Sequence, residues 1–214
     1  MTRRIMIIGN GDVPQEVADA IDAADLVIRF NNVRNFGRAG RRTDIVAVCN
    51  TGRPAKTMLR SRTWRNSRAV SESGAIWSVR DPVKLEAMKP EVLQDFPELE
   101  DLFEDHTEDF DAFARSGGKD HFVLPGSTHE SAVAALTPYD PGSYVVPSSG
   151  LVVVSHILQD PTFAGDTVFL AGFSHEGWSG HPFAAERQLI NAHIEAGRLT
   201  RLEPSSLSAL SEGA

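Results

Sequence analysis

The sequence is poor in cysteine, in cationic residues and in long apolar runs, and each shortage excludes something. Cys49 is the single cysteine among 214 residues, so no disulfide can close within the chain and a zinc site built from several thiolates is excluded. Lysine and arginine number 21 against 29 carboxylates, a formal charge of -8. That balance argues against phosphate-backbone binding, which needs a basic stripe, so nucleic acid is not an expected partner. The apolar stretch before Gly9 in "MTRRIMIIGNG" is too short for a signal-peptide core, and no later run approaches membrane-spanning length. The expectation is a cytoplasmic protein with no integral membrane segment.

What is present is an alternation of strand-length apolar runs with helical spacing. "RIMII" (Arg4 to Ile8), "DLVIRF" (Asp25 to Phe30), "DIVAVC" (Asp44 to Cys49), "AIWSV" (Ala75 to Val79), "HFVL" (His121 to Leu124), "SYVV" (Ser143 to Val146) and "TVFLAGF" (Thr167 to Phe173) read as strands. Their continuous apolar character predicts a mostly parallel sheet covered on both faces, a modified Rossmann-like α/β fold in a single domain. Between the first two strands Val13, Val17, Ile21 and Ala24 recur at helical spacing, with Asp12 and Gln15 placed like a capping box. An acidic segment at about 81–120 reads as amphipathic helix around a Ser116-Gly117-Gly118 turn, with its charges on a solvated face. The domain is expected to span 1–204, with 205–214 as a flexible tail.

"IIGNGD" follows the first strand, where Gly9 and Gly11 permit a tight turn and backbone N–H groups can face an anion; a plain strand-to-helix turn explains the same residues. The dinucleotide fingerprint fails, since Pro14 stands where the third glycine belongs and the second strand ends in Arg29-Phe30-Asn31 without a ribose-binding carboxylate. No Walker sequence is present. "GFSHE" departs from a nucleophile elbow at Glu176, and the histidines near it lack metal-ligand spacing, so no metal is expected.

Taken in order, several segments resemble the sialyltransferases of glycosyltransferase family 29. "IIGNGDVPQEVADAIDAADLVIRFNNVRNFGRAGRRTD" is similar to the long sialyl motif, "PSSGLVVVSHILQD" to the short motif, "SHEGWSG" weakly to the His-aromatic motif, and "HPFAAE" to the very short motif. The lone cysteine and absent anchor mark the chain as similar to a compact cytosolic bacterial-type relative. The resemblance implies an inverting, metal-independent transfer of a sialic acid, another nonulosonate or Kdo from a CMP-sugar donor to a hydroxyl of a glycan or glycolipid acceptor, a bacterial surface-glycan precursor, with no further cofactor. Two alternatives stand beside it: a CMP-binding regulatory protein, and an NAD- or S-adenosylmethionine-dependent enzyme.

The same resemblance implies the roles of particular residues. Asn10 and Asn31 would bond the phosphate or ribose, although turn and cap service accounts for each. Ser148, Ser149 and Gly150 open a buried helix and would approach the cytidine, although an N-cap accounts for one serine. His181 would be the general base, or simply a cap between Gly180 and Pro182. Glu186 would orient the site or tie its helix to a loop, and His175 would assist the leaving group, with Arg29 and Arg42 as alternatives that could instead pair within the sheet, Arg29 with Asp44.

Overall fold

The computed structural model describes residues 2–207. Seven parallel strands, β1 (Arg4–Ile8), β2 (Leu26–Phe30), β3 (Ile45–Val48), β4 (Ala75–Ser78), β5 (Asp120–Val123), β6 (Thr167–Ala171) and β7 (Thr200–Arg201), form one sheet in the order β5-β4-β3-β2-β1-β6-β7. The helices are α1 (Ala18–Asp22), α2 (Gly52–Arg60), α3 (Arg62–Arg65), α4 (Arg68–Ser71), α5 (Pro82–Asp95), α6 (Thr107–Ser116), α7 (Gly126–Leu136), α8 (Ser149–Gln159) and α9 (Phe183–Glu195).

The alternation of side chains along each strand explains why the runs are apolar throughout. Ile5 and Ile7 of β1 pack with Ile28 and Leu170 under α8 and α9, while Met6 and Ile8 face the opposite layer with Val17, Ile21 and Phe169. Farther along the same opposite face, Val46, Val48 and Ile76 meet Met58, Trp64 and the fully buried Phe110. With helices on both faces of an all-parallel sheet, the Rossmann-like α/β expectation holds.

Chain order reverses between β1 and β6. Successive strands run outward from β1 to β5, and the chain then returns to place β6 on β1's other side. Such a switch point opens a crevice at the carboxyl ends of the strands, where ligands of open α/β sheets bind.

Four local expectations are corrected. Ser143 to Val146 is not a strand: the amides of Val145 and Val146 both donate to the Gly180 carbonyl, so this apolar run is buried loop. The Asp12–Gln15 capping box does not form, because Pro14 takes the cap position of a 3-10 turn and the exposed Asp12 pairs with Arg38 at 3.2 Å. The acidic segment is α5, a 3-10 stretch Pro97–Phe103 and α6 rather than helix around one turn, with Leu85, Val92 and Phe103 packed inward. Arg29 does not meet Asp44: it donates to the carbonyls of Arg42, Ala39 and Gly40, and Arg42 holds Asp44 at 2.9 Å. At the chain's end, Pro204–Ser206 is a capped 3-10 turn and Leu207 packs on the β1 layer, whereas 208–214, most of the expected tail, lie outside the described residues.

Candidate functional site

Ten of the residues singled out from the sequence line one open cleft of about 600 Å³ at the switch point, whereas Arg29 and Arg42, the alternatives to His175, do not. The turn after β1 supplies Gly9, Asn10 and Gly11, the exit of β2 supplies Asn31, and the first turn of α8 supplies Ser148, Ser149 and Gly150. The loop after β6 brings His175, and the start of α9 brings His181 and Glu186. Residues far apart in sequence therefore converge.

Most of their polar atoms are already occupied by the protein. The amides of Gly9 and Gly11 donate to the carbonyls of Ala171 and Gly172 at 2.8 and 2.9 Å, so they do not face an anion as expected. A Cβ on Gly9 would stand 2.3 Å from the Gly172 oxygen, and one on Gly11 2.8 Å from it. Both glycines are required because two backbone turns cross there. Gly150 likewise yields to the ring of Phe173, which a Cβ would meet at 2.8 Å.

Asn10 spans the turn: its Nδ2 donates to the Phe30 carbonyl at 3.1 Å and its Oδ1 accepts from the Arg34 amide at 3.0 Å. Asn31 adopts φ +45° and accepts the Cys49 amide on Oδ1 at 2.8 Å, while its carbonyl accepts the Trp64 indole at 2.7 Å. Asn35, which the sequence reading passed over, donates to both the Gly9 and Gly11 carbonyls at 2.9 and 2.7 Å and fixes the turn from below. Its place in the run "FNNVRN" carries no signal by which it could have been found.

Ser148 is the N-cap of α8, accepting the Leu151 amide at 3.2 Å. Its own amide and hydroxyl donate to the two oxygens of Glu186 at 2.7 and 2.6 Å. Glu186 is only 2% exposed. Burial raises its carboxyl, and the two bonds from Ser148 and the nearby Arg80 pull the other way. It ties α9 to α8.

His181 donates from Nδ1 to the Val146 carbonyl at 2.8 Å, which leaves Nε2 as an acceptor. Trp178 and Phe183 meet its ring edge-on. Burial pulls its imidazole down to about 4, the Val146 bond opposing and Arg80 adding to the effect. His175 sits at φ +53° beside Phe173, its Nε2 buried without a partner, and burial with Arg187 and Arg201 lowers it to about 4. Both are neutral at pH 7. Among the described residues no three His, Cys, Asp or Glu side chains are placed to hold a metal ion, and no helix is long and apolar enough to cross a membrane.

No protein-family model matches this chain. It is 49% identical over 212 residues to the urease operon 23 kDa accessory protein of Rhizobium meliloti (strain 1021), covering 99% of this chain and 98% of that one. Among solved structures it is similar to a crystal structure of a mammalian sialyltransferase, with TM-score 0.51 and 12% identity over 94% of this chain and 69% of the other. A mammalian sialyltransferase in complex with Gal-beta-1-3GalNAc-ortho-nitrophenol gives TM-score 0.51 and 15% identity with the same coverage. At such identities these two show a shared fold alone.

The near-full-length relative corrects the family and function expected from the motifs. The assignment to glycosyltransferase family 29 is overturned, and with it go the CMP-sugar transfer, the glycosyltransferase activity and the glycan partners. The CMP-binding regulatory alternative and the NAD- or S-adenosylmethionine-dependent alternative do not match that relative either. In this structure the sialyl-like segments form part of the sheet, its switch point and the cleft that opens there.

Proposed function

Because this chain belongs to the family of the urease operon 23 kDa accessory protein, we propose that it is a non-catalytic accessory in the production of active urease. The observation that carries this reading is the 49% identity sustained across 99% of one chain and 98% of the other. No part of the cleft falls in an added or missing domain. The partners we assign are urease subunits or other accessory proteins, and the place of action is the cytoplasm, in keeping with a lone cysteine.

The working surface in this reading is the cleft at the switch point, with Asn10, Asn31, Ser149, His175 and His181 on its wall. Support comes from its construction. Crossed glycine turns, the Asn35 brace and the Ser148–Glu186 tie hold it in one shape, and a preformed recess recognises a partner or ligand without first being ordered.

The test is deletion of the gene in its native host, with urease activity measured per unit of urease subunit. We expect a severalfold fall, restored by a plasmid copy. Undiminished activity in the deletion strain overturns the proposal.

A further inference from the structure

Behind the cleft, and sharing Asn31, Ser149 and His181 with it, lies a second chamber of about 340 Å³. Its walls are chiefly apolar and include Leu99 and Leu102 from the acidic segment and the indole of Trp178. The acidic segment is held over it by Asp101, which pairs with Arg53 at 2.5 Å, and by an ion pair between Glu104 and Lys56.

One polar group on this wall lacks a partner. Arg80 is 4% exposed; its Nη2 donates to the Pro147 carbonyl at 2.7 Å, while Nη1 is buried with no hydrogen bond. Asn50 clamps its backbone from both sides, accepting the Arg80 amide at 2.8 Å and donating to the Arg80 carbonyl at 2.9 Å. Asn50 therefore fixes the Arg80 backbone, and the Pro147 carbonyl holds one arm of its side chain. Among the described residues no carboxylate pairs with it: Glu186 acts from a distance, and the Cys49 thiol beside it is a weak acceptor.

A buried guanidinium with idle N–H groups and no carboxylate in contact is an arrangement proteins rarely leave unanswered, because burying a polar group without its hydrogen bonds is costly. Burial already draws Arg80 below its ordinary pKa. The nine-residue helix α2 begins on the same wall at Gly52, as α8 does at Ser149, and both turn their N-terminal ends toward the chamber. The remaining charges cancel or vanish: Arg53 is held by Asp101, and His181 is neutral at pH 7. Arg80 is left as the free cation of a chiefly apolar wall, with Glu186 acting on it from a distance and no carboxylate of the described residues in contact.

We propose that this chamber binds a small monoanionic carboxylate with an apolar body, its head on Arg80 and its body against Leu99, Leu102 and Trp178. A guanidinium with more than one idle N–H can meet a planar carboxylate with paired hydrogen bonds, and it suits that group better than a phosphate dianion, for which the wall has no second free cation. The inference is independent of the urease reading.

The experiment is calorimetric titration of the full chain with sodium benzoate, benzamide and phenyl phosphate, with tryptophan emission followed in parallel. Benzoate should bind saturably and shift the emission, and benzamide, the same shape without the charge, should bind about tenfold or more weakly, the cost of losing a charge-assisted hydrogen bond. Arg80→Gln should cost benzoate at least about tenfold. Trp178→Ala, at a side chain 40% exposed, should weaken benzoate and abolish the emission change. If Arg80→Gln does not fold, the benzoate–benzamide comparison on the unaltered chain decides. Equal binding of the two, absence of saturable benzoate binding, or phenyl phosphate binding more tightly than benzoate overturns the proposal.

Discussion

The open cleft and the chamber beside it share three residues, yet they differ in how much polar surface they present and in the charge of the group left idle, the neutral His175 imidazole in one and the Arg80 guanidinium in the other. The cleft is crowded with polar groups, but the amides of Gly9 and Gly11, both ends of Asn10, the hydroxyl of Ser148 and the carboxylate of Glu186 are bonded within the protein. The chamber presents a chiefly apolar surface, and one of its polar residues, Arg80, keeps Nη1 without a hydrogen bond. Polar residues in a recess are therefore a poor guide to what it can hold. The guide is which donors and acceptors remain open after the fold has taken its share.

That contrast can be broken by substitution, starting where the effect is greatest. Gly9→Ala drives a Cβ against the Gly172 carbonyl, backbone on backbone, where no rotamer offers escape. We expect a loss of about 3 kcal/mol in denaturant unfolding. A cost near zero would mean that the crossing turns are loose and that their amides are available after all.

Acid tests the groups that burial keeps neutral. His129, His175 and His181 are each lowered to about 4. As pH falls from about 6.5 toward 4, the unfolded chain takes up protons that the folded chain refuses, so this contribution to stability is present near neutrality and lost across that window. For His129, 6% exposed, the loss approaches about 3 kcal/mol by linkage, with smaller losses for the two histidines open to the cleft. Glu186, raised by burial, works in the opposite sense: it takes a proton before its unfolded counterpart and offsets part of the loss in acid. Melting temperatures measured from pH 7 to pH 4.5 should fall, and a flat profile would contradict the burial of these rings.

The smallest effects separate the two serines. Ser148→Ala removes a cap and a bond to Glu186, and should cost about 1–2 kcal/mol in thermal unfolding. Ser149→Ala, which removes a side chain lining both recesses, should stay within about 0.5 kcal/mol. Equal costs would erase the distinction between engaged and open groups.

The sheet was legible because its strands are buried on both faces: "RIMII" and "DIVAVC" need no partner in view to announce themselves. β7 was missed because Thr200 and Arg201 are too short a strand to show any alternation. "SYVV" misled because its valines report burial, and burial in this loop is achieved with hydrogen bonds to Gly180 instead of a neighbouring strand. The cleft was legible as a convergence of ordered segments. Its chemistry was not, because whether Gly9 or Ser148 offers a free donor depends on Ala171 and Glu186, far along the chain. Arg80 carried no motif at all; its idle Nη1 exists only once Asn50 and Pro147 have fixed it.

The most direct test of the central claim, an accessory role in urease production exercised through this cleft, is complementation of the deletion strain with Ser149→Trp. That substitution places a bulky ring where the two recesses meet while sparing the Ser148 cap. With the variant shown to be folded by its melting temperature, urease activity per unit of subunit should remain at the deletion level while the unaltered chain restores it. Restoration by Ser149→Trp equal to that by the unaltered chain would contradict the account.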